Sequence, residues 1–216
     1  MKGLSALIVS LILLAYTSCK SKNHSTFNTP ADIAKNNLDS DFTVVTPPLW
    51  TQELYTFPID FAKQLPYEGY ADVRFSPFWG NSKNDEFWAY EIFWWITNKP
   101  TINEETLAQT LQDYYTGLAR KDRGRPFKPS DAETLAKAKV TKVTTDAADI
   151  ATYNASAHIF DGNISFAPLD LNFKIHEISC DNGTATVIII EISPKEYSNE
   201  AWQTLDNIKS RFKCNH

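Results

Sequence analysis

The chain has 216 residues, of which 43% are hydrophobic and 22% are charged. These values are typical of one ordinary globular domain. The formal net charge is -5, which disfavours a nucleic-acid binder, because such proteins need a clustered surplus of Lys and Arg. Aromatic residues make up 13% of the chain and there is one Met. This composition favours a core of aromatic and β-branched side chains in a sheet.

Residues 1–18 have the layout of a secretory signal peptide. Lys2 provides a short basic start, an apolar stretch covers residues 6–15, and small residues precede Cys19. This order of basic, apolar and small residues is the pattern that signal peptidases recognise. The apolar stretch is too short for a bilayer, which takes about 20 apolar residues. We therefore expect these residues to be removed from the mature protein.

The ending "AYTSC" resembles a bacterial lipoprotein box. That resemblance implies cleavage before Cys19 and attachment of lipid to its side chain. Tyr16 stands where Leu is commonest in such boxes. The alternative is ordinary cleavage after Thr17 or Ser18, which would release the protein from the membrane.

Residues 19–41 are predicted to form a lipid-anchored flexible tether. They are polar, rich in Asn and Ser, and have no apolar periodicity, as expected for a flexible linker. Surface-exported lipoproteins of some bacterial phyla carry an acidic run after the lipid-bearing Cys, whereas Lys20 and Lys22 follow Cys19 here. Because this chain does not have the acidic run of the surface-exported lipoproteins, we expect an outer-membrane anchor that faces the periplasm. Residues 42–216 are predicted to form a single globular domain.

If Cys19 carries lipid, Cys180 and Cys214 remain as a pair in an oxidising compartment, where disulfides persist. We predict that they are bonded. The enclosed loop of roughly 35 residues would stabilise the fold by about 3.8 kcal/mol in the chain-entropy model. The alternative is two buried free thiols, because Cys is often a core residue.

The first predicted strands lie between Phe42 and Ile96. Residues 47–61 read as an extended segment interrupted by prolines, which places it at a sheet edge. Residues 67–75 alternate between apolar and polar side chains and predict a strand. A turn with Pro and Gly follows, and "DEFWAYEIFWWI", residues 85–96, returns as the next strand.

A helix is predicted after Pro100, with Asn103 as its N-cap and an end near Gly117. One stripe of this helix is apolar and comprises Leu107, Leu111, Tyr114, Tyr115 and Leu118. A second helix is predicted near the end of the chain. Its apolar face comprises Trp202, Leu205, Ile208 and Phe212.

Two strands precede the second helix as well. "DLNFKIHEISC" and "TATVIIIEIS" flank the turn "DNG", which is a strong hairpin signal. The plan of strand, strand and helix therefore occurs twice. Residues 187–192 are apolar on both sides apart from Glu191, as in a central strand covered on both faces. We predict an α+β fold, in which an antiparallel or mixed sheet carries both helices on one face.

The aromatic strand has two unequal faces, because alternate side chains point to opposite sides. The wholly apolar face is predicted to be core and comprises Trp88, Tyr90, Ile92, Trp94 and Ile96. The mixed face holds rings beside charged groups, a combination that suits a sugar, peptide or aromatic ligand. Its candidate ligand-binding residues are Arg74, Glu91, Phe93 and Trp95. The alternative is that the N-terminal segment covers this face and Glu91 pairs with Arg74.

A small hydrolase is the enzymatic alternative. It would use Asp72 and Glu91 as an acid and base pair, with one pKa raised by burial. No nucleophile, phosphate-binding or zinc motif is found in the sequence, and we predict no cofactor. We also predict no metal, because the 18-residue separation of His158 and His176 fits no common ligand spacing.

Residues 67–96, "YEGYADVRFSPFWGNSKNDEFWAYEIFWWI", resemble uncharacterised bacterial lipoprotein domains with a similar aromatic and Trp-Trp pattern. The resemblance covers about thirty residues and implies no activity. The favoured hypothesis is a lipid-anchored cell-envelope protein. Its domain would bind or scaffold a sugar, peptide or protein partner without catalysis.

Overall fold

The computed structural model describes residues 41–121 and 130–215. The predicted signal peptide, the tether before Asp41 and the predicted lipid-bearing Cys19 lie outside the described residues. The strands are β1 Phe42–Thr43, β2 Thr51–Thr56, β3 Gly69–Phe75, β4 Tyr90–Ile96, β5 Lys137–Lys142, β6 Ala151–Asp161, β7 Ala167–Cys180, β8 Ala185–Ser193 and β9 Lys213–Cys214. The helices are α1 Glu104–Arg120, α2 Asp131–Thr134 and α3 Ala201–Lys209, and a 3-10 turn covers Asp181–Gly183.

Seven strands form one antiparallel sheet in the order β2-β3-β4-β8-β7-β6-β5. A separate two-stranded ribbon joins β1 to β9. The α+β class and an antiparallel sheet are therefore confirmed, as is the repeated plan, since β3-β4-α1 and β7-β8-α3 follow the same order. Strand β8 is the fourth of the seven, as its apolar run predicts.

The two long helices lie on opposite faces of the sheet. Leu107 and Tyr114 of α1 belong to the same buried cluster as Trp94 of β4, whereas Ile208 of α3 clusters with Phe93. Because Phe93 and Trp94 are successive residues of one strand, they point to opposite sides. The prediction that both helices pack on one face was wrong. Helical periodicity identifies the apolar stripe of a helix but does not determine which side of the sheet the chain crosses to.

Helix α1 begins as predicted. The Asn103 side chain accepts a hydrogen bond from the Thr106 backbone N at 2.9 Å, and the Thr106 hydroxyl accepts one from the Asn103 backbone N at 3.0 Å. These two bonds form a capping box. The helix continues past Gly117 to Arg120. Gly117 instead permits a close contact, because a Cβ there would lie 1.7 Å from the Phe61 carbonyl oxygen.

The disulfide between Cys180 and Cys214 is confirmed, with a Cα–Cα distance of 5.6 Å. Cys214 is also the strand partner of Phe42 in the β1-β9 ribbon. The disulfide therefore fastens this ribbon to the end of β7. All seven residues of β4 are buried, so both faces of this strand are covered.

Candidate functional site

The predicted ligand-binding residues lie on the α3 face, meaning the side of the sheet that packs against α3. Asp72, Glu91 and Phe93 are 0% exposed and Trp95 is 5% exposed. The Phe42 ring covers this face, with its centroid 5.9 Å from that of Phe93 and 6.0 Å from that of Trp95. These residues therefore do not form an open surface, and the expectation of a ligand platform here does not hold.

The N-terminal segment covers the α3 face only in part. Besides Phe42, Trp50 and Leu54 pack against it, whereas Tyr55 and Phe57 pack on the opposite side of the sheet. The remaining cover comes from α3 and from Phe212. The alternative that the N-terminal segment covers this face is therefore confirmed in part, by Trp50 and Leu54. The cover by α3 and Phe212 was not predicted, because these residues come from the other end of the domain.

Arg74 pairs with Asp72 on this face. Its Nε donates to Asp72 Oδ1 and its Nη2 to Oδ2, both at 2.7 Å. The Gln52 side chain donates to the same carboxylate at 3.1 Å. Burial raises the pKa of Asp72, and the Arg74 guanidinium opposes that rise.

Glu91 and Glu191 are direct partners across β4 and β8. Both are 0% exposed, and among the described residues none donates a hydrogen bond to either carboxyl group. Burial raises the pKa of Glu91 well above its ordinary value, and the neighbouring Glu191 carboxylate adds to the rise. Burial also raises the pKa of Glu191, while His176 opposes the rise. Glu91 therefore keeps its proton at a pH where a solvated Glu has lost it.

His176 lies between two carboxyl groups. Its Nδ1 is 2.7 Å from Asp149 Oδ2, and its Nε2 is 3.6 Å from Glu191 Oε1. Burial lowers the pKa of His176, but Glu191 and Asp149 outweigh that effect and the net shift is upward. The side chains of Asp146, Asp149 and His176 are close enough to bind a metal ion. However, the Lys209 ammonium is 3.2 Å from both aspartates and already supplies a positive charge.

The hydrolase alternative has no accessible acid and base pair in this region. Asp72 and Glu91 are both fully buried, and both oxygens of Asp72 accept bonds from Arg74. A catalytic acid or base must come within hydrogen-bonding reach of its substrate. Neither carboxyl group meets that condition in this structure. His158 is exposed and lies 2.7 Å from Asp170.

A different cleft lies on the α1 face, meaning the side of the sheet that packs against α1. Its volume is about 350 Å³, which is within the usual range for small-molecule sites. Residues from β2, β3, β4, α1 and two turns meet there. We call it the aromatic cleft, and the rings that line it are Tyr55, Phe75, Trp79, Trp88, Tyr90 and Tyr114.

The rings of the aromatic cleft pack on one another. Phe75 stacks on Tyr90 with centroids 5.4 Å apart, and Trp79 lies 5.4 Å from Trp88. Trp88 has a φ of 55°, a left-handed conformation that is rare for a bulky residue and often marks a functional site. Its backbone N donates to the Trp79 carbonyl oxygen at 3.0 Å. Trp88 is buried as predicted, but it precedes β4 and belongs to the turn.

Three buried polar atoms of cleft-lining residues have no hydrogen-bond partner among the described residues. They are Trp79 Nε1, Trp88 Nε1 and Asn163 Oδ1. Trp94 Nε1 is also buried without a hydrogen-bond partner, but Trp94 is in the core and does not line the cleft. An unpaired indole alone is therefore a weak signal. The three atoms have less than 1 Å² of accessible surface, so they lie behind the surface of the cleft and are not exposed in it.

The turn that carries Asn163 is fixed by Asp161, which is 0% exposed. The Asp161 carboxylate accepts bonds from the backbone N of Asn163 at 2.8 Å, of Ile164 at 3.0 Å and of Ser165 at 2.7 Å. It also accepts a bond from the Ser165 hydroxyl at 2.7 Å. These four bonds fix the conformation of the turn at Asn163, which is one of the residues that line the cleft.

Hydroxyl groups and a single carboxylate complete the polar surroundings. Tyr90 and Tyr115 share a hydrogen bond of 2.5 Å, and burial raises the pKa of both well above the ordinary value. Both therefore remain neutral. Of the described residues that line the cleft, Glu53 carries the one carboxylate, and it accepts a bond from the Tyr55 hydroxyl. The arrangement is suited to bind a ring that carries both donors and acceptors.

Sequence reasoning did not identify this cleft. The sequence places Trp79 in the predicted turn that follows residues 67–75 and assigns no role to Asn163. The one local signal was the turn-forming pattern "DGNIS" at residues 161–165, in which an Asp precedes the Asn by two positions. The cleft itself depends on how separate segments pack.

Within the part of the chain that the structure describes, no helix has the length and apolar character needed to cross a membrane. No family model, curated protein or solved structure was found to match this chain.

Proposed function

We propose that the chain is a lipid-anchored cell-envelope protein whose domain binds a small ring-shaped ligand in the aromatic cleft without catalysing a reaction. The observation that carries this proposal is a cleft of about 350 Å³ between the sheet and α1 that is lined by six aromatic residues.

The lining of the aromatic cleft combines aromatic rings with a carboxylate. The rings supply apolar contact area, and Glu53 offers a hydrogen-bond acceptor. A ring supplies binding area, while a few polar groups fix the orientation of the ligand. Binding of a ring-shaped ligand is therefore favoured by both the apolar and the polar parts of the cleft.

The envelope location is supported by two features of the chain. The signal-like start and the lipobox-like ending at Cys19 imply export and a lipid anchor. The disulfide between Cys180 and Cys214 suits an oxidising compartment such as the periplasm. We propose that residues 19–41 tether the domain to the outer membrane on its periplasmic side.

The charges of the cleft support binding over catalysis. Acid and base hydrolysis of a glycosidic bond uses two carboxyl groups that flank the bond, whereas Glu53 is the one carboxylate among the described lining residues. The other candidate acids, Asp72 and Glu91, are buried with the α3-face residues. A hydrolase that uses Asp72 and Glu91 is therefore our second candidate function.

Calorimetric titration of the mature chain tests the proposal. The probes are phenol, methyl β-glucopyranoside, methyl β-galactopyranoside and N-acetylglucosamine, each titrated separately. We expect at least one of them to bind with 1:1 stoichiometry. Trp79→Phe keeps a ring but removes part of the indole surface that lines the cleft, so it should weaken binding roughly 10-fold, which corresponds to about 1.4 kcal/mol.

Trp94→Phe is the matched control. It also removes a buried and unpaired indole N–H, but from a residue that does not line the cleft. Its affinity for the probe should equal that of the parent chain. The proposal is overturned if none of the four probes binds, or if both variants lose affinity equally.

A further inference from the structure

We infer that the ligand of the aromatic cleft is an organic cation, meaning a ring that carries an ammonium group, and that the charge of Glu53 selects it. This inference rests on the proposed function of the cleft and adds the chemical class of its ligand. It is carried by the sign of the charges around the cleft and by the lining side chains that keep accessible surface.

The lining residues that keep accessible surface include one carboxylate and three rings. Glu53 is exposed, and Tyr55, Phe75 and Trp79 are each partly exposed. All four line the cleft. A ligand in the cleft can therefore contact these side chains without reaching the buried polar atoms behind them.

The charge of the lining is negative and is not compensated by a basic side chain. Of the described residues that line the cleft, none is Lys, Arg or His, whereas Glu53 carries a carboxylate. Within the described ranges, no basic nitrogen lies within 4.0 Å of that carboxylate. The hydrogen bond that it accepts comes from the Tyr55 hydroxyl. A cationic ligand would therefore supply the opposite charge that Glu53 lacks.

Two more carboxylates are bonded to residues of the lining. Glu86 accepts a hydrogen bond from the Ser76 hydroxyl, and Asp161 accepts one from the backbone N of Asn163 at 2.8 Å. Ser76 and Asn163 both line the cleft. Neither carboxylate forms an ion pair with a described basic residue. Together with the net charge of -5, these groups give the cleft a negative potential, which attracts cations and repels anions.

The aromatic part of the lining also favours a cation. The face of an aromatic ring is electron-rich and attracts an ammonium within about 6 Å of its centroid, most strongly when the ring is Trp. The chain itself makes such a contact beside the cleft. The Lys121 ammonium, which does not line the cleft, lies 6.0 Å from the centroid of Tyr55 and 5.2 Å from that of Phe61. A ligand that joins a ring to an ammonium group would gain both contact area and charge attraction, whereas a neutral ring gains only the first.

Calorimetric titration with three benzyl compounds of similar size tests the inference. At pH 7 benzylamine is a cation, benzyl alcohol is neutral and benzoate is an anion. The mature chain should bind benzylamine more than 10-fold more tightly than benzyl alcohol, and it should bind benzoate most weakly. The preference for benzylamine should fall as the salt concentration rises from about 0.01 M to about 1 M, because salt screens exposed charges.

Glu53→Gln tests the role assigned to the carboxylate. Gln keeps the size of the side chain and an acceptor oxygen for the Tyr55 hydroxyl but removes the charge. The variant should reduce the preference for benzylamine over benzyl alcohol about 5-fold, within the range for an exposed ion pair. Its affinity for benzyl alcohol should stay the same. Melting temperatures show whether the variant is folded, and the comparison of the three compounds with the parent chain does not depend on it.

Glu68→Gln is the matched control. Glu68 is also exposed but does not line the cleft, so this variant makes the same change in net charge at another place. Its preference for benzylamine should equal that of the parent chain.

The outcomes separate this inference from the proposed function. If the three benzyl compounds bind equally, or if benzoate binds most tightly, the cation assignment is overturned while ring binding stands. If neither these compounds nor the four neutral probes bind, both fail. If benzylamine is preferred but folded Glu53→Gln keeps the full preference, or Glu68→Gln loses as much of it, the role of Glu53 is overturned.

Discussion

Replacing Trp95 with Ala tests whether the second side of the aromatic strand is core. Trp95 is 5% exposed, and its ring centroid lies 6.0 Å from that of Phe42 and 6.4 Å from that of Tyr70. Trp94, on the opposite side, is 0% exposed and lies 6.1 Å from Tyr114 of α1. The two tryptophans are therefore buried to nearly the same extent.

The expected loss of stability follows from this burial. A large aromatic side chain buries about 150–250 Å², which corresponds to about 4–6 kcal/mol at 25 cal/mol per Å². Measured replacements of such side chains by Ala cost about 3–5 kcal/mol, since the cavity relaxes in part. We therefore expect Trp94→Ala and Trp95→Ala each to lower the free energy of unfolding by about 3–5 kcal/mol.

Urea denaturation followed by far-UV circular dichroism measures both values, with the disulfide left intact. Phe78→Ala is a suitable control, because Phe78 is 46% exposed and its loss should cost less than about 1 kcal/mol. The reasoning would be refuted if Trp95→Ala lowered the free energy of unfolding by less than about 1 kcal/mol while Trp94→Ala lowered it by about 3–5 kcal/mol. It would mean that Phe42 and α3 do not cover the α3 face in solution.

Three other predictions concern the disulfide, the buried glutamates and the anchor. Cys180→Ser with Cys214→Ser should lower the free energy of unfolding by about 3.8 kcal/mol, measured by urea denaturation without reductant; no change would contradict the structural role of the bond. The pKa of Glu91 is raised in the folded state, so its stabilising effect is complete below the unfolded pKa of about 4.3 and is lost as the pH rises through the folded pKa. Glu91→Gln should therefore reduce the fall in stability that accompanies a rise in pH above about 4.3, and an unchanged pH profile would contradict this account. Cys19→Ala should move the protein from the membrane fraction to the soluble fraction, and full retention in the membrane would exclude the lipid anchor.

Local patterns were sufficient to predict much of the fold. Three of these features depend only on residues within one short segment of the chain. They are the Asn103 cap, the alternation in β3 and the apolar run in β8. The disulfide followed from a count of cysteines in an oxidising compartment. These features need no knowledge of how distant segments pack.

The faces of the sheet were harder to predict. Alternation correctly separated Trp94 from Trp95, but it did not show that Phe42 and Phe212 would cover the Trp95 side. Those two residues lie near opposite ends of the domain, and β1 and β9 bring them together. Burial of the charged groups on this face follows from that long-range contact and could not be derived from the pattern of one strand.

The aromatic cleft was missed for a related reason. Asn163 and Trp88 are 75 residues apart in the sequence, and neither belongs to a motif that predicts a shared site. The cleft is formed by the packing of separate segments of the chain. Only the three-dimensional structure shows it.

A crystal structure of the protein soaked with the tightest-binding of the four probes tests the central claim most directly. The account predicts ligand density in the aromatic cleft, with the ligand ring within about 4.5 Å of the Trp79 side chain that lines it. A ligand bound elsewhere, or a cleft without ligand density at saturating probe, would contradict it.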